Sequence, residues 1–66
     1  MGNDRFLGMT VNERLFDASL LGAWDAAVRA REAAAMTDIL VRVAITKDGA
    51  RQIVTTVLAN PKRYGF

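Results

Sequence analysis

The chain has no cysteine and no histidine among its 66 residues. Without cysteine there is no disulfide, and without either residue there is no ordinary structural zinc site. The same absences remove two of the commonest catalytic side chains, among them the one that titrates nearest neutrality. The five glycines stand singly, so no phosphate-cradling loop is present. No apolar run approaches the about 20 residues of a membrane span, and the N-terminus lacks a cleavable apolar segment. The seven carboxylates, Asp4, Glu13, Asp17, Asp25, Glu32, Asp38 and Asp48, are spread along the chain, whereas an oxygen-ligand cation site needs them clustered. A general acid–base pair needs two carboxyls in one partly dry cleft, and a domain this small offers little cleft. These absences predict a non-enzymatic protein with no cofactor and no metal, without a membrane segment, and cytoplasmic in a bacterial cell.

What is present is the composition of a folded protein, 52% apolar and 24% charged. A domain near 60 residues buries only about 60% of the surface its unfolded chain exposes. Its single core seldom supplies more than about 3 to 5 kcal/mol, and such proteins add cross-links, metals, close helix packing or self-association. Here only the last two remain. The isoelectric point near 9.7 reflects seven arginines with no histidine to buffer the middle of the range. Net charge is only +2, which is weak grounds for a nucleic-acid partner.

Residues 1–8 show no period and carry a glycine at each end of the stretch, so they read as a flexible leader to a single helical domain over 9–66, with Met9 an alternative natural start. Thr10-Val11-Asn12-Glu13 has the spacing of a capping box. From there strong helix formers predict one helix over about 11–34, with Phe16, Leu20, Ala23, Trp24, Ala27 and Val28 on its core face. Ala18, Gly22 and Ala26 form a row of small residues on roughly the opposite side. A mid-helix glycine costs about 1 kcal/mol relative to alanine, which a close helix–helix contact would offset. Arg14 with Asp17, and Asp25 with Arg29, read as solvated surface pairs.

The segment from Thr37 to Val57 has two readings. Asp48-Gly49 between β-branched runs is a hairpin signal, but the hairpin register mixes apolar and polar residues on each face. In a helix, Ala50, Ile53, Val54, Val57 and Leu58 follow the i, i+3, i+4, i+7, i+8 template without exception. The helical reading is preferred, with Thr37 capping a helix over 38–44 and Thr46 or Lys47 starting one over 47–59. Asn60-Pro61 stops it, and Tyr64 and Phe66 fold back as a packed aromatic tail, with Gly65 permitting the bend. The expected fold is therefore all-α, a compact three-helix domain in which Phe16, Trp24, Ile53 and Val57 pack together.

Two resemblances follow from these residues. Asn12-Glu13-Arg14-Leu15-Phe16 at the start and Leu58-Ala59-Asn60-Pro61-Lys62-Arg63-Tyr64-Gly65-Phe66 at the finish resemble the pattern of small uncharacterised bacterial helical proteins. That resemblance implies a helical fold and brings no activity or site with it. The helices expected around Ile45-Thr46 have some likeness to the helix-turn-helix of repressors, although 46–58 is about one turn longer than that motif. Lys47, Arg51, Lys62 and Arg63 are then the candidate DNA contacts. The leading expectation is a protein–protein interaction module, most simply a homodimer joined through Ala18, Gly22 and Ala26; the alternative is a small DNA-binding regulator.

Overall fold

The capping box forms as its spacing predicts. In the computed structural model, which describes Phe6 and residues 8–66, Thr10 Oγ1 accepts from the Glu13 N–H at 3.2 Å and Glu13 Oε1 accepts from the Thr10 N–H at 2.8 Å. Helix α1 (Val11–Asp17) starts there and runs for only seven residues. The expected single helix over 11–34 is thus incorrect. That stretch forms α1, then α2 (Leu21–Arg29), then the start of α3 (Ala33–Arg42), and the chain continues into α4 (Lys47–Ala59) and a 3₁₀ turn (Pro61–Tyr64). No strand occurs among the described residues, so the all-α class holds with four α-helices in place of three.

The three breaks share one backbone arrangement. Ser19, Arg31 and Ala44 adopt the left-handed conformation, with φ of 61°, 58° and 68°. Each closes the preceding helix with the same two hydrogen bonds. Leu20 N–H donates to the Leu15 carbonyl at 2.8 Å and Ser19 N–H to that of Phe16 at 3.0 Å. Glu32 and Arg31 donate to Ala27 and Val28, and Ile45 and Ala44 to Leu40 and Val41. This is the Schellman closure, which satisfies otherwise orphaned carbonyls at a helix end. Glycine normally occupies its left-handed position because other side chains crowd there. None of the three residues here is glycine.

Core formation explains why the first break is worth its strain. On one straight helix Leu15 and Trp24, nine residues apart at about 100° each, would point in opposite directions. The turn at Ser19 reorients α1 so that Leu15 is fully buried together with Val28, Met36, Leu40 and Val43, while Trp24 is 6% exposed. Phe16, expected in the core, is instead 74% exposed. The expected cap at Thr37 and helix over 38–44 are also incorrect: α3 runs Ala33–Arg42 with Glu32 at its N-cap position, and the Thr37 hydroxyl donates back to the Ala33 carbonyl at 2.9 Å. Met36, Ile39, Leu40 and Val43 then form its buried stripe.

Helix α4 follows the sequence pattern closely. Thr46 Oγ1 accepts from the Gly49 N–H at 3.1 Å as the N-cap, which places Asp48-Gly49 in the first turn of a helix and not in a hairpin. Ala50, Val54 and Val57 are buried, Ile53 and Leu58 half-buried, and Arg51, Gln52, Thr55, Thr56 and Ala59 exposed. The helix ends before Pro61 with Asn60 at φ −149° and ψ 72°, outside the left-handed region, so the proline effect and not a left-handed asparagine stops it. Gly65 takes the left-handed bend (φ 88°), and Phe66 packs half-buried on the core with the Arg29 guanidinium 5.9 Å from its ring centre. Tyr64 stays 44% exposed, so the aromatic tail is packed through one ring only. Phe6, within the expected leader, is buried in the core; residues 1–5 and 7 lie outside the described residues.

Two outcomes test this architecture. Ser19→Gly and Ala44→Gly should each raise stability by up to about 1 kcal/mol, or about 4 to 8 °C in Tm, by relieving the left-handed strain; a continuous helix through residue 19 would instead be weakened there by about the same amount. Leu15→Ala should cost about 2 to 5 kcal/mol, whereas Phe16→Ala at its exposed position should change monomer stability by no more than about 0.5 kcal/mol. Thermal melts of the four variants decide both.

Candidate functional site

All six described carboxylates, Glu13, Asp17, Asp25, Glu32, Asp38 and Asp48, are exposed, and no polar or charged residue is buried among the described residues. No group of three or more potential metal ligands comes together among them. Two surface grooves among the described residues differ in chemistry.

The first groove lies along α1 and α2. Phe16 stands at its edge with Met9, Leu21, Asn12, Glu13 and Asp17 around a volume of about 450 Å³. It runs on, through shared Asn12 and Leu21, into a second hollow of about 350 Å³ over Trp24, Ile53, Val57 and Phe66. Trp24, Ile53 and Val57 therefore do converge as their periodicity implies, without Phe16. The result is a continuous apolar strip with one phenyl ring projecting from it.

Arg14 decides the charge of that strip. Its guanidinium turns inward, where Nη1 donates to the Val43 carbonyl at 3.0 Å and the Ala44 carbonyl at 3.4 Å, and Nε donates to the Met9 carbonyl at 3.1 Å. The cation thus caps the C-terminal end of α3, where the helix dipole favours positive charge. The expected Arg14–Asp17 surface pairing misses this role. With Arg14 occupied on the inner side, the outward charges of α1 are the carboxylates Glu13 and Asp17.

The second groove lies between α3 and α4, about 450 Å³ in volume, and is lined by Ala34, Thr37, Asp38, Val41, Lys47 and Arg51. Val41 is 45% exposed there. Lys47 and Arg51, four residues apart on α4, share this side, while Asp38 is held by Arg42 at 3.1 Å. Lys62 and Arg63, the other candidate DNA contacts, are exposed on the 3₁₀ turn that follows the far end of α4. The four candidate cations therefore divide into two pairs.

The row of small residues is divided too. Ala18 is the C-cap of α1 and half-buried, whereas Gly22 and Ala26 are exposed on α2. A side chain added at Gly22 would meet nothing within 4 Å. Within the chain the row makes no close helix–helix contact, and the turn at Ser19 removes its continuity as a ridge. Sequence reasoning missed Phe16 as an exposed apolar residue because the break at Ser19 changes the face on which it falls, and it assigned no face to Val41.

No helix among the described residues is long and apolar enough to cross a membrane. Comparison of the chain with protein-family models, with curated proteins and with solved structures finds no match.

Arg14 offers a direct test of how α1 is positioned. Arg14→Met, which keeps the aliphatic stem, should cost about 1.5 to 3 kcal/mol, the range for hydrogen bonds to a charged group. Arg14→Lys should recover only part of it, since a point charge cannot span three carbonyls as a planar fork does. Chemical denaturation of the two variants against the parent measures both.

Proposed function

We propose that this chain is a non-enzymatic interaction module that associates with a second copy of itself, and that the contact is centred on Phe16. The observation that carries the proposal is the 74% exposure of that ring at the edge of a continuous apolar strip. Burying a phenylalanine side chain contributes about 1.5 to 3 kcal/mol. For a domain of 66 residues without cross-links, that gain is comparable with the whole stability a single small core supplies. An exposed aromatic ring beside a partly buried apolar hollow is a surface that such a contact would use. The small-residue row at Ala18, Gly22 and Ala26 is a poorer candidate, because it presents little apolar area and is split between two helices.

A DNA-binding role has one supporting feature, the α3–turn–α4 arrangement with Lys47 and Arg51 at the start of the second helix. Phosphate contacts dominate DNA affinity and need several positioned cations. The separation of Lys47 and Arg51 from Lys62 and Arg63 weighs against that reading.

Sedimentation over a range of concentrations tests the proposal. The parent should be dimeric or larger at high micromolar concentration, Phe16→Ala should be monomeric with unchanged helix content, and Gly22→Leu should associate like the parent. A monomeric parent overturns the proposal, and a disrupted Gly22→Leu alone returns the interface to the small-residue row. Steeply salt-dependent retention on DNA would favour the regulator instead.

A further inference from the structure

We infer that the C-terminal segment Pro61–Phe66 is a strap that closes over one end of the apolar strip and restrains its use in self-association. The inference rests on the proposed association and adds its regulation. Three observations carry it.

The first is how little ties the segment down. Its backbone hydrogen bonds close on itself: Arg63 N–H donates to the Asn60 carbonyl at 3.2 Å, Gly65 N–H to that of Lys62 at 3.2 Å and Phe66 N–H to that of Pro61 at 3.0 Å. Among the described residues no hydrogen bond or ion pair joins residues 61–66 to a helix. What seats the segment is the half-buried Phe66 ring, with the Arg29 guanidinium beside it. Partial burial of one ring is set against the backbone freedom of the whole segment, and segments held this way open at small cost. The unit turns on Asn60, the single residue between α4 and the 3₁₀ turn.

The second is what the segment covers. Tyr64 and Phe66 both line the hollow of about 350 Å³ over Trp24, Ile53 and Val57. A further hollow of about 340 Å³ is lined by Gln52, Ile53, Thr56, Val57 and Tyr64. The two share Ile53 and Val57 and meet at Tyr64, so the strap divides what the helices alone would leave as one groove. The third is continuity. The strip runs from Phe16 through Asn12 and Leu21 to the covered hollow. Lifting the strap lengthens it along α4 and uncovers Trp24 and Val57, both buried while the strap is closed. Contact between copies then gains apolar area that the closed strap withholds, so closure competes with association.

The chain's single tryptophan reports the strap directly. Two variants open it by different routes. Phe66→Ala removes the seating ring. Gly65→Val keeps both rings but forces a β-branched residue to φ 88°; a Cβ there meets nothing within 4 Å, so the effect falls on the bend alone. Circular dichroism should show parental helix content in both. At concentrations where every chain is monomeric, acrylamide should quench Trp24 more strongly in each variant than in the parent. In sedimentation each should associate at least about tenfold more tightly than the parent, the factor gained when a competent state populated at about 10% becomes the only one. Adding Phe16→Ala to Phe66→Ala should abolish that gain. If quenching rises while association is unchanged or weaker, the segment only covers the core and the restraint is overturned, with self-association through Phe16 untouched. Unchanged quenching in both variants overturns the strap itself. A Phe16→Ala/Phe66→Ala chain that associates as Phe66→Ala does overturns its link to the strip. A parent and two variants that all stay monomeric at high micromolar concentration overturn this inference together with the proposal beneath it.

Discussion

The structure depends on a reversal at Ser19. A core this small cannot leave Leu15 in water, and on a straight helix Leu15 and Trp24 would face opposite ways. Placing Ser19 in the left-handed region ends α1, turns the chain and brings both side chains to one interior. The backbone strain of such a residue is of order 1 kcal/mol or more, and the apolar side chain it delivers contributes about 1.5 to 3 kcal/mol. The same balance recurs at Arg31 and Ala44. Three short helices wrap the interior where one long rod would have touched it along a single line.

Arg14 links that reversal to the rest of the molecule. From α1 it reaches across about 30 residues of sequence to the carbonyls of Val43 and Ala44, the point where α3 closes and the chain turns into α4. The Phe6 ring lies 5.9 Å from the same guanidinium. One side chain thereby fixes where α1 sits, caps a second helix, and removes the only cation from the outer surface of the first. The acidic and aromatic character of that surface is a by-product of how the interior is satisfied.

That coupling bears on function. The Phe16 ring is held three-quarters exposed on a well-capped helix, and Lys47 and Arg51 lie beside an apolar groove. A small chain with a thin core and no cross-links is also the kind that gains most from adding buried surface by association.

The local chemistry of the sequence determined the starts of α1 and α4 and the end of α4. Thr10 with Glu13, and Thr46 with Gly49, act through hydrogen bonds within one turn, and Pro61 acts on its immediate neighbour, so each is legible without knowing the fold. The buried stripe of α4 was legible for a similar reason, since five apolar residues share one helical face over an uninterrupted stretch. Only the tertiary structure decided where the first long apolar stretch breaks. Serine, arginine and alanine carry no left-handed signature as glycine does, and their strain is offset by burial of residues far away in sequence, Leu15 against Val28, Met36 and Leu40. With the breaks went the register, and with the register the choice between Leu15 and Phe16 for the interior. The candidate site was hidden for that reason: Phe16 becomes a surface residue only through a turn whose cause is the core.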